Sequence, residues 1–160
     1  MPELSSSLPS MSDDIVQRLG QVDLFQGLST KVLKHIASEG RTRTYAAGET
    51  VVEEGASVKG WSSFSSEGVC FYVILEGSGE VEVHGQTKGT LTAGQYFGEA
   101  SLIDGQPRTA TVVAGPDGMT AFALSAWAFA PILEENPSMA ITMLKVIVGR
   151  LRRAEAAADS

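Results

Sequence analysis

The chain has little of the residue types that disulfides and metal sites require: its 160 residues include one cysteine and two histidines. Cys70 has no second cysteine to pair with, and its place in an apolar, strand-like run predicts a buried thiol. His35 and His84 lack metal-ligand spacing, and a metal-dependent barrel enzyme would need clustered histidines with a glutamate. We therefore predict no metal site, no catalytic residues and no enzyme, with His35 on a helix surface and His84 in a turn.

Basic residues and long apolar runs are also scarce. Twelve lysines and arginines stand against 19 aspartates and glutamates, and the net charge of -7 argues against a nucleic-acid-binding surface, which is normally basic. No apolar stretch approaches the length of a membrane span, and the first residues lack the basic-then-apolar pattern of a signal peptide. Together with the single cysteine, these absences predict a cytoplasmic protein.

The residues that are present fit one globular domain. Hydrophobic residues make up 43% of the chain, enough for a real core, and 160 residues leave little for a second domain. Residues 1–11 are rich in serine and proline without periodicity, which predicts a disordered leader. We expect a single domain over residues 12–156 and a short tail at 157–160.

Helix signals occupy the N-terminal quarter of the chain. Ser12 is predicted to cap a first short helix, and Ser29 a second one that stops at Gly40. Between the two helices, residues 23–28 predict a tight turn that carries two large apolar side chains.

From residue 41 the hydrophobic period changes to two, and glycine-containing turns recur every several residues. The predicted strands are 42–45, 50–54, 69–75, 79–84, 88–91, 95–97, 109–114 and 119–124. Eight short strands with glycine breaks predict an antiparallel β-roll of the jelly-roll type. With the flanking helices, the predicted fold class is α+β.

Prolines interrupt the C-terminal helical region. Pro131 lies six positions after a candidate serine cap, and a proline in a helix interior removes a hydrogen bond and clashes with the preceding turn. The helix after the roll is therefore predicted either to kink at Pro131 or to start at residue 130. Asn136-Pro137 marks the next break, before a last helix over residues 138–156.

The last helix carries an apolar stripe with spacings of three, four and three: Ile141, Leu144, Val148 and Leu151. Its basic residues lie mostly off that stripe: Lys145, Arg150, Arg152 and Arg153. We expect the stripe to pack on the helix's own roll. The alternatives are a homodimer seam and a lid over a bound base, and three turns are too short to decide between them.

The most informative segment runs from Phe97 to Val112, with the sequence FGEASLIDGQPRTATV. It places the carboxylate of Glu99 and the guanidinium of Arg108 nine positions apart, around residues that can form one helical turn. The planar fork of Arg108 suits a phosphate, and a carboxylate can accept a hydrogen bond from a sugar hydroxyl. Backbone N–H groups at residues 100–103 can face an anion from a helix start. Taken singly these residues indicate a surface charge pair and a turn, whereas the ordered set indicates an anionic ligand with hydroxyls.

This ordered set closely resembles the phosphate-binding cassette of the cyclic-nucleotide-binding domain family, which includes catabolite-activator-like and protein kinase A regulatory-subunit-like sensor domains. The order of helices, β-roll and helices is similar too, and the resemblance covers roughly residues 13–153. It implies that the ligand is contacted by Gly98, Glu99, Ala100, Ser101, Arg108 and Thr109. The resemblance also implies that Arg108 binds the phosphate and that Glu99 accepts a hydrogen bond from the ribose 2′-hydroxyl.

The resemblance leaves the choice of base open. In that family a hydroxyl at the position of Thr109 can reach the 2-amino group of a syn guanine, or can bond only the phosphate. Binders of both nucleotides carry threonine there. We expect cAMP as the ligand, with cGMP as the alternative, and no other cofactor.

Residues 56–67 depart from the family pattern, in which a short turn usually crosses at this point. The segment looks like an insertion, and it carries Trp61 and Phe64. We expect both rings to fold back on the roll. The alternative is a contact surface or a lid near the pocket.

The downstream effect of such a domain depends on the further domains or partner proteins with which it acts. A transcription factor, kinase or channel of this family would need a further domain, and the chain ends soon after the last helix. We therefore expect a stand-alone sensor that signals through its C-terminal helix to a separate protein effector. The alternatives are a non-binding interaction or dimerisation module that retains the roll, and a regulatory fragment of a larger channel or effector protein.

Overall fold

The computed structural model describes residues 11–56 and 70–158. The helices are α1 (Met11–Gly20), α2 (Thr30–Glu39), α3 (Glu99–Asp104), α4 (Ala126–Glu135) and α5 (Pro137–Ala158), with a 3₁₀ turn at Asp23–Phe25. The strands are β1 (Gly40–Tyr45), β2 (Thr50–Val52), β3 (Cys70–Val83), β4 (Gln86–Thr92), β5 (Tyr96–Phe97) and β6 (Thr111–Ser125).

The six described strands form one antiparallel sheet in the order β1-β6-β3-β4. β2 also pairs with β6, and β5 with β3, so that the two longest strands lie side by side with shorter strands along their outer edges. Helices precede and follow the sheet. The predicted α+β class, an antiparallel roll with helices at both ends, is confirmed.

The prediction of eight strands is wrong, because two pairs of predicted strands are continuous. Predicted strands 69–75 and 79–84 join in β3, and 109–114 and 119–124 join in β6. Gly77 and Gly118 have φ values of 79° and 77°, and a Cβ on Gly77 would collide with the carbonyl of Gly118. These glycines let the paired strands bend, with shifts of register, instead of ending them.

One of the two predicted N-terminal caps is present. The hydroxyl of Ser29 accepts a hydrogen bond from the N–H of Val32 at 3.2 Å, whereas α1 begins at Met11, one residue before the predicted cap position. Gly40 ends α2 in extended backbone and leads directly into β1. The predicted apolar turn is the 3₁₀ segment, whose leucine and phenylalanine are buried.

The core has two clusters on opposite faces of the sheet. Five consecutive residues of β3 are buried and alternate between them: Phe71 and Val73 lie in the helix-side cluster, and Cys70, Tyr72 and Ile74 in the roll-interior cluster. Such a strand is an uninterrupted apolar run because both of its faces are covered. The prediction of a buried Cys70 thiol is confirmed, since the residue is 8% exposed.

The helix after the roll contains Pro131 in its interior. α4 begins at Ala126 behind Ser125, whose hydroxyl accepts from the N–H of Ala128 at 3.4 Å. The alternative start at residue 130 is therefore wrong, because the serine cap and the burial of Ala128 and Phe129 hold the first turn in place. The predicted kink stays a prediction.

The last helix lies where it was predicted, but its predicted packing is wrong. Ile141, Leu144, Val148 and Leu151 are between 45% and 58% exposed. The buried residues of α5 are instead Met139 and Met143, with Val146 partly buried beside them. An α-helix advances about 100° per residue, so the two stripes, two residues apart, lie on nearly opposite faces.

Both histidines lie outside the core. His84 and Gly85 form the turn between β3 and β4 with φ values of 53° and 78°, as expected for a tight hairpin. His35 is exposed on α2. Within the described residues no group of three or more histidine, cysteine and acidic side chains could hold a metal ion.

Two predictions lie almost wholly outside the described residues: the disordered leader at 1–11, of which Met11 is described and belongs to α1, and the insertion at 56–67, which carries Trp61 and Phe64 and of which Ala56 is described. The domain boundaries also stay a prediction. Among the helices described, none is both long enough and apolar enough to cross a membrane.

Candidate ligand-binding site

A cavity of about 760 Å³ opens between the roll and α5. Small-molecule sites typically measure about 300–1,000 Å³. All six residues predicted from the sequence line this cavity: Gly98, Glu99, Ala100, Ser101, Arg108 and Thr109. Their direct contact with a ligand stays a prediction, but the structure brings them together around one cavity.

Arg108 is a buried cation, 9% exposed, that forms no ion pair with a carboxylate within the described residues. Its guanidinium donates instead to two backbone carbonyls, through Nη1 to Gly98 at 2.9 Å and through Nη2 to Cys70 at 2.8 Å. Burial lowers the pKa of Arg108 from its ordinary value, although arginine stays protonated at neutral pH. A buried guanidinium without a carboxylate partner is suited to bind an anion such as a phosphate.

The main chain of Arg108 is tied to the turn that follows β2. Its N–H donates to the carbonyl of Ala56 at 3.0 Å, and its carbonyl accepts from the N–H of Gly55 at 2.8 Å. Nearby, the N–H of Glu54 donates to the hydroxyl of Thr111 at 2.9 Å. Both ends of the arginine, backbone and guanidinium, are therefore positioned by the roll.

Gly98 allows the close approach that the Arg108 contact requires. Its φ is 90°, in the left-handed region, and a Cβ there would lie 2.9 Å from the Cys70 carbonyl oxygen and 3.1 Å from Arg108 Nη1. Any larger residue would be strained and would press on the guanidinium. The requirement for glycine thus comes from the protein's own packing.

The short helix α3 starts at Glu99 and lines the cavity with its first turn. Glu99 and Ser101 are 3% and 4% exposed. The first N–H groups of a helix have no acceptor within it, so those of Ala100 and Ser101 are candidates to donate to a ligand. The turn closes at Gly105, whose N–H donates to the carbonyl of Ser101 at 2.9 Å.

Glu99 is paired with an arginine from α5. Arg150 Nη1 lies 2.9 Å from Glu99 Oε1, and the two side chains are 47% and 4% exposed. A carboxylate has two oxygens with about four acceptor positions, so a bond through Oε1 leaves capacity for a sugar hydroxyl. The predicted acceptor for the ribose is therefore held by the C-terminal helix.

Tyr96 lies close to this ion pair. Burial, and secondly the negative charge of Glu99, raise the pKa of Tyr96 to about 12, while Arg150 acts in the opposite direction. The tyrosine is 7% exposed, and within the described residues its hydroxyl has no hydrogen-bond partner. A buried hydroxyl without a partner is uncommon, because its desolvation is not compensated.

The end of the cavity away from Arg108 is largely apolar, with Lys88 and Thr90 as its polar strand residues. Five aliphatic side chains line that end: Val52, Val81, Val83, Leu91 and Val112. The charged lining residues are three cations and one carboxylate, in a protein whose net charge is -7. A cavity with charged groups at the Arg108 end and aliphatic side chains at the other end suits a ligand with an anionic head and a flat apolar part.

Sequence reasoning missed Arg150, Lys88 and Ala154 as lining residues. Arg150 lies four residues after Val146 and four before Ala154, on the inward side of α5, and this helical spacing was its only sequence signal. Lys88 belongs to a strand whose side chains are mostly exposed, so nothing in the pattern separated it from a surface lysine.

The model of the cyclic nucleotide-binding domain family matches residues 42–136, more than half of the chain. The chain belongs to the cyclic nucleotide-binding domain family. The matched range includes all six predicted site residues and ends before α5, so Arg150 lies outside it.

Similar curated proteins are cAMP-dependent protein kinase regulatory subunits. The subunit from Mycosarcoma maydis is 35% identical over 100 residues, which is 60% of this chain and 17% of that protein. The subunit from Debaryomyces hansenii is 27% identical over 136 residues, 84% of this chain and 28% of that protein. The matched regions therefore span less than a third of these relatives, which are regulatory subunits rather than catalytic ones.

Solved structures show the same fold. The catabolite activator protein of Thermus thermophilus has a TM-score of 0.70 and 26% identity, covering 85% of this chain and 61% of that one. The regulatory domain of Toxoplasma gondii PKA, solved with cAMP, has a TM-score of 0.69 and 23% identity, covering 84% of this chain and 49% of that one. The second likeness shows the fold alone.

Proposed function

We propose that this domain binds a 3′,5′-cyclic nucleotide, with cAMP preferred over cGMP, and acts as a cytoplasmic sensor without catalytic activity of its own. The observation that carries the proposal is the buried Arg108, held by two backbone carbonyls at the wall of a cavity and lacking a carboxylate partner within the described residues. The family to which the chain belongs supports the class of ligand.

We assign each part of the ligand to one part of the cavity. The cyclic phosphate would bind Arg108 and the first N–H groups of α3, and Glu99 would accept from the ribose 2′-hydroxyl. The base would lie toward the aliphatic end, near Lys88 and Thr90. Thr109, which is exposed at the cavity wall, would serve either the phosphate or the base.

Calorimetric titration with cAMP and with cGMP tests this function. We expect saturable 1:1 binding of cAMP with weaker binding of cGMP. The control ligand is 5′-AMP, which has the same base and sugar but an open phosphate, and it should bind more weakly. If neither cyclic nucleotide binds to the folded protein, the domain is an interaction module and the proposal is wrong.

Thr109→Ala tests the assignment of the base. If Thr109 reads guanine, the mutation should lower cGMP affinity more than cAMP affinity. Because we propose cAMP as the preferred ligand, we expect small losses of similar size for both nucleotides, measured by the same titrations.

We further propose that α5 carries the signal to a protein effector or to a second copy of the chain. The exposed stripe Ile141, Leu144, Val148 and Leu151 has the three-four-three spacing of a helix–helix seam. A homodimer through this stripe should sediment as a dimer, and Leu144→Glu should shift it to monomer while Lys145→Glu, on the neighbouring surface, should not. Hydrogen exchange over residues 138–156, with and without nucleotide, should differ if the helix responds to ligand.

A further inference from the structure

We propose that Glu54 is a positioning residue for the ligand site: its carboxylate holds the turn between β3 and β4 against the segment that carries the main chain of Arg108. In this way it sets the spacing between the two ends of the cavity. The inference rests on the proposed nucleotide function. Glu54 acts through these neighbours and does not itself line the cavity.

The two ends of the cavity belong to different parts of the chain. The phosphate end lies within residues 98–110. The other end is formed largely by the hairpin of β3 and β4, which contributes Val81, Val83, Lys88, Gly89, Thr90 and Leu91. A ligand that contacts both ends requires them at a fixed separation, because a shift of one end weakens the contacts made at the other.

The tip of this hairpin extends beyond the part of the sheet that holds it. β3 pairs with β6 as far as Glu82, opposite Thr111, and the turn at His84 and Gly85 lies past that point. Among the described strands, β4 lies at the edge of the sheet beside β3, and their register shifts after Val81. The position of the tip therefore depends on contacts outside the strand ladder.

The carboxylate of Glu54 supplies such a contact. Its Oε1 accepts from the backbone N–H of His84 at 2.9 Å, and its Oε2 lies 3.2 Å from His84 Nδ1. Within the described residues, His84 is the only non-glycine residue with a positive φ, 53°, and a charged acceptor for its N–H stabilises that conformation. The imidazole is 87% exposed, so the bond to the backbone is the stronger of the two contacts.

The main chain of Glu54 is tied to the phosphate end. Its N–H donates to the hydroxyl of Thr111 at 2.9 Å, and the N–H of the next residue, Gly55, donates to the carbonyl of Arg108 at 2.8 Å. One residue thus joins the two ends, with its backbone beside Arg108 and its side chain on the turn. Loss of the carboxylate should release the turn, while the backbone bonds keep Arg108 in place.

The first test compares substitutions at Glu54 by calorimetric titration with cAMP. Glu54→Ala should weaken binding about fivefold, because a charge-assisted bond to the hairpin is lost. Glu54→Gln keeps an oxygen that can accept from the His84 N–H, and should stay within about twofold of the parent protein. Glu53→Ala, which removes the exposed carboxylate one residue earlier, is the matched control and should also stay within about twofold. Unchanged binding by Glu54→Ala, or an equal loss by Glu54→Gln, would overturn the proposal.

His84→Asn separates the backbone bond from the imidazole contact. Asparagine adopts a positive φ readily and keeps the N–H, but it has no imidazole. This variant should bind cAMP within about twofold of the parent protein, and Glu54→Ala should still cost about fivefold in its background. If His84→Asn alone weakened binding as much as Glu54→Ala, the assignment to the backbone bond would be wrong.

A second ligand separates the spacing of the cavity from a general loss of stability. Ribose 3′,5′-cyclic phosphate without a base can reach only the phosphate end. Glu54→Ala should therefore change its affinity less than about twofold, measured by competition against labelled cAMP. Losses of equal size for this ligand and for cAMP would overturn the role of Glu54 in spacing the two ends.

The final test needs no nucleotide and therefore separates this inference from the proposed function. In the ligand-free protein, Glu54→Ala should speed amide exchange over residues 83–87 at least about threefold and leave the amide of Arg108 unchanged, with Glu53→Ala again as the control. If the parent protein binds no cyclic nucleotide, the proposed function fails while this experiment still reports on the hairpin. If exchange over residues 83–87 is the same in Glu54→Ala and in the parent protein, the role of Glu54 is wrong whatever the ligand.

Discussion

Arg108 and Glu99 face the same cavity but are held by different kinds of partner. Arg108 is anchored by backbone carbonyls of β3 and of the segment before α3, and its own backbone pairs with the turn after β2. Glu99 is held by the side chain of Arg150, which comes from a helix that is otherwise largely exposed at that point. The cationic wall, Arg108, is therefore held by main-chain groups of the roll, whereas the anionic wall, Glu99, is held by a side chain of α5.

This difference indicates how binding and signalling can be divided within one small domain. A guanidinium that two main-chain carbonyls hold has a fixed direction, and under the proposed function this would orient it for a phosphate. An ion pair between a buried carboxylate and a half-exposed arginine can be made or broken with little change in the roll. Under the proposed function, a sugar hydroxyl would contact the same carboxylate that holds α5, which would link ligand binding to that helix.

The largest effect is expected from removing the cationic wall. Arg108→Ala should abolish measurable cAMP binding, because two charge-assisted bonds at about 1.5–3 kcal/mol each correspond to at least a hundredfold loss. Arg108→Lys should also be damaging, since an ammonium cannot span two carbonyls and a phosphate. Titration calorimetry measures the loss, circular dichroism confirms folding, and exposed Arg41→Ala is the control. An unchanged dissociation constant in folded Arg108→Ala would contradict the site.

A second mutation tests whether the roll positions Arg108. Gly98→Ala should lower cAMP affinity about tenfold or more and destabilise the fold by about 1–3 kcal/mol, because a left-handed residue gains a Cβ against the guanidinium. Gly105→Ala is a matched control: it also has a positive φ, 70°, but no atom within 4 Å of its added Cβ. Equal losses of affinity in the two variants would show that backbone strain, not crowding of Arg108, is responsible. Urea unfolding and calorimetry provide the two measurements.

The anionic wall should matter less. Glu99→Gln should weaken cAMP binding by about 1–3 kcal/mol, the range for loss of a charged acceptor, and should affect 2′-deoxy-cAMP much less. Glu53→Gln, an exposed carboxylate on the turn after β2, should leave both ligands unaffected. If both ligands lose the same affinity in competition titrations, Glu99 is not the ribose acceptor.

The smallest effect is expected at Tyr96, beside the ion pair. Tyr96→Phe removes a buried hydroxyl without a described partner, so stability should stay the same or rise by up to about 1 kcal/mol. Tyr72→Phe is the comparison, since that buried hydroxyl lies within hydrogen-bonding reach of Tyr45 and its loss should destabilise by about 1 kcal/mol. Thermal unfolding of the two variants measures these changes in stability. Clear destabilisation by Tyr96→Phe would mean that its hydroxyl has a partner in solution.

Local signals predicted the elements of the fold well and their continuity poorly. The cap at Ser29, the last helix and the two-residue period of the strands are properties of short stretches, and they are present in the structure. The merging of strands at Gly77 and Gly118 was missed because a glycine that bends a paired strand looks the same in sequence as one that ends it. Which of these occurs depends on the neighbouring strand.

The residues of the candidate site can be divided in the same way, into those that a local pattern predicted and those that it could not predict. The spacing of Gly98, Glu99 and Arg108 within one segment is local, and these residues do line one cavity. Arg150 is 51 residues from Glu99 along the chain. No local pattern connects two residues so far apart, so its place in the site could not be predicted.

By itself, the sequence determined the β-roll class, the segment that carries Glu99 and Arg108, and a C-terminal helix with an apolar stripe. Only the tertiary structure decided which face turns inward. The stripe through Met139, Met143 and Val146 packs on the core, although the stripe through Leu144 and Val148 is the longer uninterrupted apolar one. Periodicity reports that a face is apolar but not what will cover it, because burial depends on the shape of the surface that the helix meets. That choice of face brings Arg150 to Glu99.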